Sequence, residues 1–181
     1  MSPIYTIGHS THDLPAFAAL LQASGIERLV DIRTVPRSRT NPQFNRETLP
    51  GSLAPYGIDY EHLDALGGLR GKSKITPPET NGFWENDSFH HYADYALTDA
   101  FHQGLDILIN RAQVQRCAIM CSEAVWWRCH RRIISDYLIA REIPVLHIMG
   151  LNHVDAASLT HGAVIQPDGS VLYPPANQAA D

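Results

Sequence analysis

Residues 116–132 read Arg-Cys-Ala-Ile-Met-Cys-Ser-Glu-Ala-Val-Trp-Trp-Arg-Cys-His-Arg-Arg, a short apolar run that stops abruptly in thiol, carboxylate, imidazole and guanidinium groups. Five residues, Cys117 to Cys121, fit a strand buried on both faces, as in a parallel sheet. Ligands of open α/β sheets collect where such strands end. Cys121, Ser122 and Glu123 stand at that end, and a connector needs only a small residue and a cap there. The run therefore predicts both a parallel sheet and a site at its edge.

The same alternation extends outward. Residues 4–7 read as a first strand, 14–23 as a helix stopped by Gly25, and 26–35 as a second strand around Leu29, Val30 and Ile32. Ser10 with Asp13 resembles a capping arrangement, and Pro15 suits the first turn. The short helical connection favours a right-handed βαβ unit. A third strand is expected over 58–63, one long helix over 88–112 with Gly104 weakening its middle, and a last buried strand over 143–149. Residues 36–57 and 67–87, rich in proline and glycine, read as loop excursions over the site, the first holding a short helix. The predicted fold is a single α/β domain spanning 1–181. It is a three-layer sandwich with a mainly parallel, Rossmann-like open sheet and a C-terminal extension from 151, in which Pro167-Asp168-Gly169 marks a hairpin.

Composition narrows the function classes. With 181 residues and 44% hydrophobic content, one core is expected. A formal charge of −5 disfavours a generally basic nucleic-acid-binding surface, though a local basic cleft survives that total. Three cysteines, an odd count, and no run of bilayer length point to a cytoplasmic protein with reduced thiols and no membrane partner. The chain enters a strand pattern almost at once, so no cleaved leader is expected.

Several motifs together resemble a known family: Thr6-Ile-Gly-His-Ser10, Asp31-Ile-Arg33 with Pro36 and Ser38, Tyr60 and His62 before Leu66-Gly-Gly, Cys121-Ser-Glu123, and Cys129-His-Arg131. They are similar to the domain of unknown function 488 family across about residues 4–150, a combined spacing more specific than any one piece. The resemblance implies no assigned activity. The chain departs from the expected polar or proline-containing helix start by carrying Ala-Val-Trp-Trp at 124–127.

That departure leaves two geometries. A helix starting at Ser122 separates Glu123 and His130 by about 10 Å along its axis, at 1.5 Å per residue. An arched loop over 123–127 instead makes the chain from Arg128 onward a helix N-terminus, whose free N–H groups favour an anion, and turns Cys121, Glu123, His130 and Arg131 toward one pocket. The family pattern favours the arch.

Within that arch, Cys121 can be activated as a nucleophile by N–H groups and arginines, or can simply fill a turn. Cys117 reads as inert core. Cys129, three residues after Trp126 and four before Ile133, reads as packing before chemistry. A phosphatase or rhodanese-like loop places an arginine six residues after its cysteine, whereas Arg128 is seven after Cys121. Zinc ligation by Cys121, Cys129, His130 and His9 lacks a close Cys-x-x-Cys pair, so neither metal nor cofactor is assigned.

The catalytic candidates are accordingly Cys121, Glu123, His130 and His9, with Ser10, Asp31, Arg33, Ser38, Tyr60, His62, Arg70 and Arg131 as substrate-binding candidates. His9 would exchange the proton, Asp31 orient it, and Arg33 hold an anionic oxygen; the alternative is a structural Asp31–Arg33 ion pair. The expected function is hydrolysis or group transfer on an anionic, nucleotide-like substrate at the carboxyl edge of the sheet. The alternatives are a phosphate- or nucleic-acid-binding module without turnover, and a Cys/His metal or redox site, which requires Cys121 and Cys129 to be close.

Overall fold

A computed structural model describes residues 1–176. Its six-stranded sheet runs β3-β2-β4-β1-β5-β6, built from β1 (Ile4–Gly8), β2 (Arg28–Asp31), β3 (Asp59–His62), β4 (Cys117–Cys121), β5 (Val145–Gly150) and β6 (His153–Ala156). The first five are mutually parallel and β6 pairs antiparallel with β5. The sheet is thus an α/β three-layer arrangement, as the apolar runs predict. β6 lies in the expected C-terminal extension, where its wholly exposed residues gave no strand signal.

Period-two alternation divides the strands between two cores. Ala118 and Met120 face α1 (Leu14–Ala23) and α2 (Leu49–Leu53), together with Phe17, Leu21, Phe44 and Leu53. Cys117 and Ile119 face the opposite layer, formed by α3 (Asp87–Tyr95), α4 (Asp99–Val114) and α5 (Arg131–Ala140). The same alternation turns Cys121 to the α5 side. At that end of the sheet, three strand ends meet: Gly8 pairs with Cys121, and Asp31 with Met120.

Local chemistry explains where the elements differ from the sequence reading. The cap of α1 is Asp13, whose Oδ1 accepts from Ala16 N at 2.8 Å; Ser10 instead sits in a left-handed turn at φ 47°. The single helix expected over 88–112 is two helices, because Thr98 leaves the helical conformation and its Oγ1 accepts from Phe101 N to start α4. Gly104 lies within α4, where an added Cβ would stand 2.7 Å from the Ala65 Cβ, so its small size permits the contact with the turn before Gly67. Residues 122–130 form the arch, not a helix: a single 3-10 turn spans Trp126–Arg128, and α5 starts only at Arg131.

The C-terminal hairpin is present as β7 (Val164–Ile165) and β8 (Val171–Leu172). It is tied to α5 by Asp136, which accepts from Thr160 N and Tyr173 OH at 2.8 Å each. Residues 177–181 of the expected 151–181 extension lie outside the described residues. Among the described residues, no helix is long and apolar enough to cross a membrane.

Candidate functional site

A cleft of about 400 Å³ opens at the carboxyl ends of β2 and β4, walled by the arch, by the segment after β2 and by the loop at Gly68 and Leu69. Its chemistry is concentrated in Arg33, Arg37, Glu123, Arg128, Cys129 and His130, with Cys121 and Ser122 at its floor. Both thirty-six-onward and sixty-seven-onward excursions contribute, through Arg37 and through Gly68, Leu69 and Asn86.

Arg131 builds the arch. Its side chain is completely buried, with Nη2 donating to the Glu123 carbonyl at 2.7 Å and Nη1 to Thr6 Oγ1 at 3.1 Å. Its Nε has no hydrogen-bond partner among the described residues. The main chain of 123 therefore folds back over Gly8, where an added Cβ would meet the Glu123 oxygen at 1.8 Å. Only a glycine permits this approach. Beneath the guanidinium, Thr6 Oγ1 lies 2.6 Å from His147 Nδ1, and the His147 ring stacks on Trp126 with centroids 4.6 Å apart. Burial and the neighbouring Arg131 push the His147 pKa down to about 4, so the imidazole is neutral at pH 7.

The arch brings Cys129 onto Cys121, with their Sγ atoms 2.7 Å apart. Cys129 Sγ also accepts the Arg131 backbone N–H at 3.4 Å, at the start of α5, and lies 3.4 Å from His130 Nδ1. Burial drives the Cys129 thiol upward, but the Cys121 hydrogen bond, the Arg131 guanidinium and the Arg131 N–H outweigh it and bring the pKa to about 7. Cys121 moves the opposite way, raised by burial and by the thiolate beside it. Of the two, Cys129 is the readier thiolate. Cys117 lies away from the cleft, with burial raising its thiol to about 11.

His130 Nε2 donates to the Ile32 carbonyl at 2.9 Å, which leaves Nδ1 as the lone-pair nitrogen facing Cys129. Burial lowers its pKa and keeps the ring neutral. Gly68 packs flat on this ring, an added Cβ lying 2.6 Å from Nδ1.

The amino-terminal residues reach the same edge but do not all enter the cleft. His9 N and Ser10 N donate to the Cys121 and Ser122 carbonyls, joining the first turn to the arch. The His9 ring, however, lies against Phe44, gives Nδ1–H to the Ser10 carbonyl at 2.8 Å and presents Nε2 to Arg33 Nη1 at 3.4 Å. Its pKa is lowered chiefly by burial. Asp31 does not orient His9. It is fully buried, paired with Arg33 at 2.7 Å, and accepts from Tyr60 OH at 2.5 Å. Arg33 also gives Nη2–H to the Phe44 carbonyl. His62 Nε2 holds the Arg33 carbonyl at 2.7 Å from outside.

Ser38 and Arg70 serve loop geometry. Ser38 Oγ accepts from Asn41 N, while Arg70 donates to the Gly67 and Asp64 carbonyls and covers the Tyr95 ring at 3.8 Å. Neither lines the cleft. Arg131 acts on the cleft from below, through the arch. Thr6, His147 and Thr34, whose Oγ1 accepts from Leu69 N, were not among the site candidates drawn from the sequence, Thr6 entering only as part of the first motif. The available signal was a polar residue inside an apolar strand, at Thr6 and His147. Among the described residues, no three His, Cys, Asp or Glu side chains are arranged to hold a metal ion.

Searches of curated proteins and of solved structures find no match to the chain. A family model described as "Domain of unknown function DUF488" matches residues 13–138, which takes in the second strand, the arch and most of α5. The chain belongs to the DUF488 family.

Proposed function

We propose that the protein is a cysteine-dependent enzyme of group transfer, acting on an anionic substrate, with the Cys129 thiolate as nucleophile. One observation carries the reading: a sulfur on the cleft wall receives the first N–H of α5 and faces the lone pair of His130 Nδ1, both at 3.4 Å. His130 takes the thiol proton; the buried Arg131 charge stabilises the sulfur anion that results. Arg128 and Arg37, exposed at the rim, supply positive charge for the substrate's anionic end. Glu123 contributes its carbonyl to the arch and is free to place its exposed carboxylate beside the leaving group, as a proton carrier. Val35, Leu69 and Phe89 form an apolar lip that suits a base or another flat group attached to that anion, the nucleotide-like class. A thiolate nucleophile of this kind fits the reducing cytoplasm.

The test uses two alkylating probes at pH 7, anionic iodoacetate and neutral iodoacetamide, with the labelled cysteine located by peptide mass spectrometry. Cys129 is expected to react first, with a preference for iodoacetate over a free thiol's ratio that Arg128→Ala and Arg37→Ala each reduce severalfold. Labelling of Cys121 or Cys117 ahead of Cys129, or an iodoacetate-to-iodoacetamide ratio no higher than a free thiol's, overturns the reading.

A further inference from the structure

We infer that Cys121 is the resolving thiol of this site, so that the group taken up by Cys129 is released by formation of a Cys121–Cys129 disulfide. The inference rests on Cys129 as nucleophile and adds the substrate class: an oxidant with a labile S–S or O–O bond and an anionic end.

The geometry sets the pair apart from two cysteines sharing a core. Their sulfurs stand 2.7 Å apart, whereas a disulfide needs about 2.05 Å, so bonding takes a shift of well under an ångström. Both thiols line the cleft while staying almost wholly buried, at 3% exposure for Cys121 and 7% for Cys129. The two sulfurs sit on separately anchored pieces of chain. Cys121 closes β4, held in register with Gly8, and Cys129 precedes α5, fastened through Arg131 to Thr6 and Glu123. Between them the side chains of the arch are exposed apart from the half-buried Val125 and Trp126. A hydrolytic cysteine enzyme needs no second thiol in contact with its nucleophile. Here a second thiol occupies one flank of the nucleophile, and among the described residues Cys121 has no other acceptor nearer than the Glu123 carbonyl at 3.7 Å.

The chemistry balances in two steps. In the first, the Cys129 thiolate attacks one atom of an X–Y bond, giving Cys129–S–X and releasing Y with the bonding electron pair. In the second, the Cys121 sulfur attacks the Cys129 sulfur. The S–S bond forms, the S–X bond breaks, and X leaves with the electron pair and the Cys121 proton. The two cysteines together lose two electrons and the X–Y compound gains them. An external thiol, as in the cytosolic thiol pool, reduces the disulfide for the next cycle. X–Y is a disulfide, releasing two thiols, or a hydroperoxide, releasing an alcohol and water. Phosphoryl and acyl groups do not allow the second step, because the attack would fall on phosphorus or carbon.

The experiment starts from fully reduced full-length protein and two probes, glutathione disulfide and hydrogen peroxide, each followed by intact-mass and peptide-mass analysis. Wild type is expected to lose two of its three free thiols to a Cys121–Cys129 bridge and to keep Cys117 free. Cys121→Ala is expected to trap the intermediate on Cys129: a glutathione adduct in the first arm, a dimedone-reactive sulfenic acid in the second. The arm that reacts at least tenfold faster identifies the electrophilic atom. Cys121→Ser serves as the second variant if the alanine chain does not fold, as judged by its circular dichroism. Three free thiols in wild type after both probes overturn the inference. So does an adduct that persists on wild-type Cys129 as long as in the variant. If iodoacetate still labels Cys129 first in Cys121→Ala, such a failure removes resolution and leaves the nucleophile standing. If Cys129 is not labelled at all, the nucleophile falls with it.

Discussion

Arg131 donates to the main-chain carbonyl of Glu123 at 2.7 Å, and its guanidinium has no carboxylate within ion-pair distance among the described residues. A wholly buried cation without a carboxylate partner needs another source of negative potential, and the Cys129 sulfur beside it supplies that. The two demands satisfy one another. Replacing Arg131 by Met is expected to lower stability by about 2–4 kcal/mol, from two charge-assisted hydrogen bonds at about 1.5–3 kcal/mol each less the relieved desolvation. It should also raise the pH at which Cys129 becomes reactive. Arg131→Lys should keep part of the second effect. Urea unfolding and the pH profile of iodoacetamide labelling read the two separately; an unchanged profile in Arg131→Met would show that the guanidinium does not govern the thiol.

The labelling profile of wild-type Cys129 should rise through a midpoint near pH 7 and level off above it, because the thiolate and not the thiol attacks. In Cys121→Ala the midpoint should move up, since the S–H that hydrogen-bonds to the thiolate is gone. A midpoint at or above that of a free cysteine, about 8.5, would contradict the assignment.

Two glycines separate support of the arch from support of the imidazole. Gly8→Ala forces a methyl group into the Glu123 carbonyl at 1.8 Å, so backbone must move; a loss of about 3 kcal/mol or more is expected. Gly68→Ala meets the His130 ring at 2.6 Å and should displace it from Cys129, reducing labelling severalfold with a smaller change in stability. Gly51→Ala, with nothing within 4 Å of the added Cβ, is the control. Thermal melts and labelling rates for the three chains decide whether the contacts act as described.

Acid should destabilise the fold before the carboxylates titrate. His147 has a folded pKa near 4, and those of His9 and His130 are also lowered, all chiefly by burial. The unfolded chain therefore binds protons first, from about pH 6.5 downward. Stability is complete above that pH, falls as the pH drops toward 4, and stops falling on this account below the folded values. His147 alone accounts for up to about 3 kcal/mol at 1.36 kcal/mol per pKa unit. In His147→Gln the decline between pH 7 and 4.5, measured by urea unfolding, should be shallower; an equally steep decline would assign the effect elsewhere.

Arg33→Ala should be more damaging than Tyr60→Phe. The first leaves Asp31 fully buried without its cation, a loss of about 3–5 kcal/mol. The second removes one hydrogen bond to the same carboxylate, a loss of about 1–3 kcal/mol. The double replacement Asp31→Asn with Arg33→Met should recover part of the first loss in equilibrium unfolding, because no lone charge is then buried.

Alternation and punctuation settled much of this protein before any fold was known. Short apolar runs such as 117–121 fit a strand covered on both faces, and the helices and glycine stops between them leave few topologies other than a parallel sheet. The density of reactive groups after Cys121 pointed to the sheet edge at which the cleft opens, since chemistry of that kind is out of place in a connector. Element ends were less legible. The break between α3 and α4 turns on one Thr98 cap, and β6 has no buried face to imprint a pattern on its residues.

The division of labour among the site residues was decided only in three dimensions. A cysteine at helical spacing among apolar residues reads as packing. It becomes a low-pKa thiol when the arch sets Cys129 against Arg131 and Cys121, contacts eight residues apart or fewer that the wrong helix boundary would forbid. Asp31, His9 and Arg33 have the composition of a proton relay, yet burial consumes the Asp31 carboxylate in an ion pair and a tyrosine hydroxyl, turning catalytic types into scaffolding. Residue identity fixes what a side chain is able to do, while its partners and its solvation, which depend on chain segments far apart in sequence, fix which of those things it does.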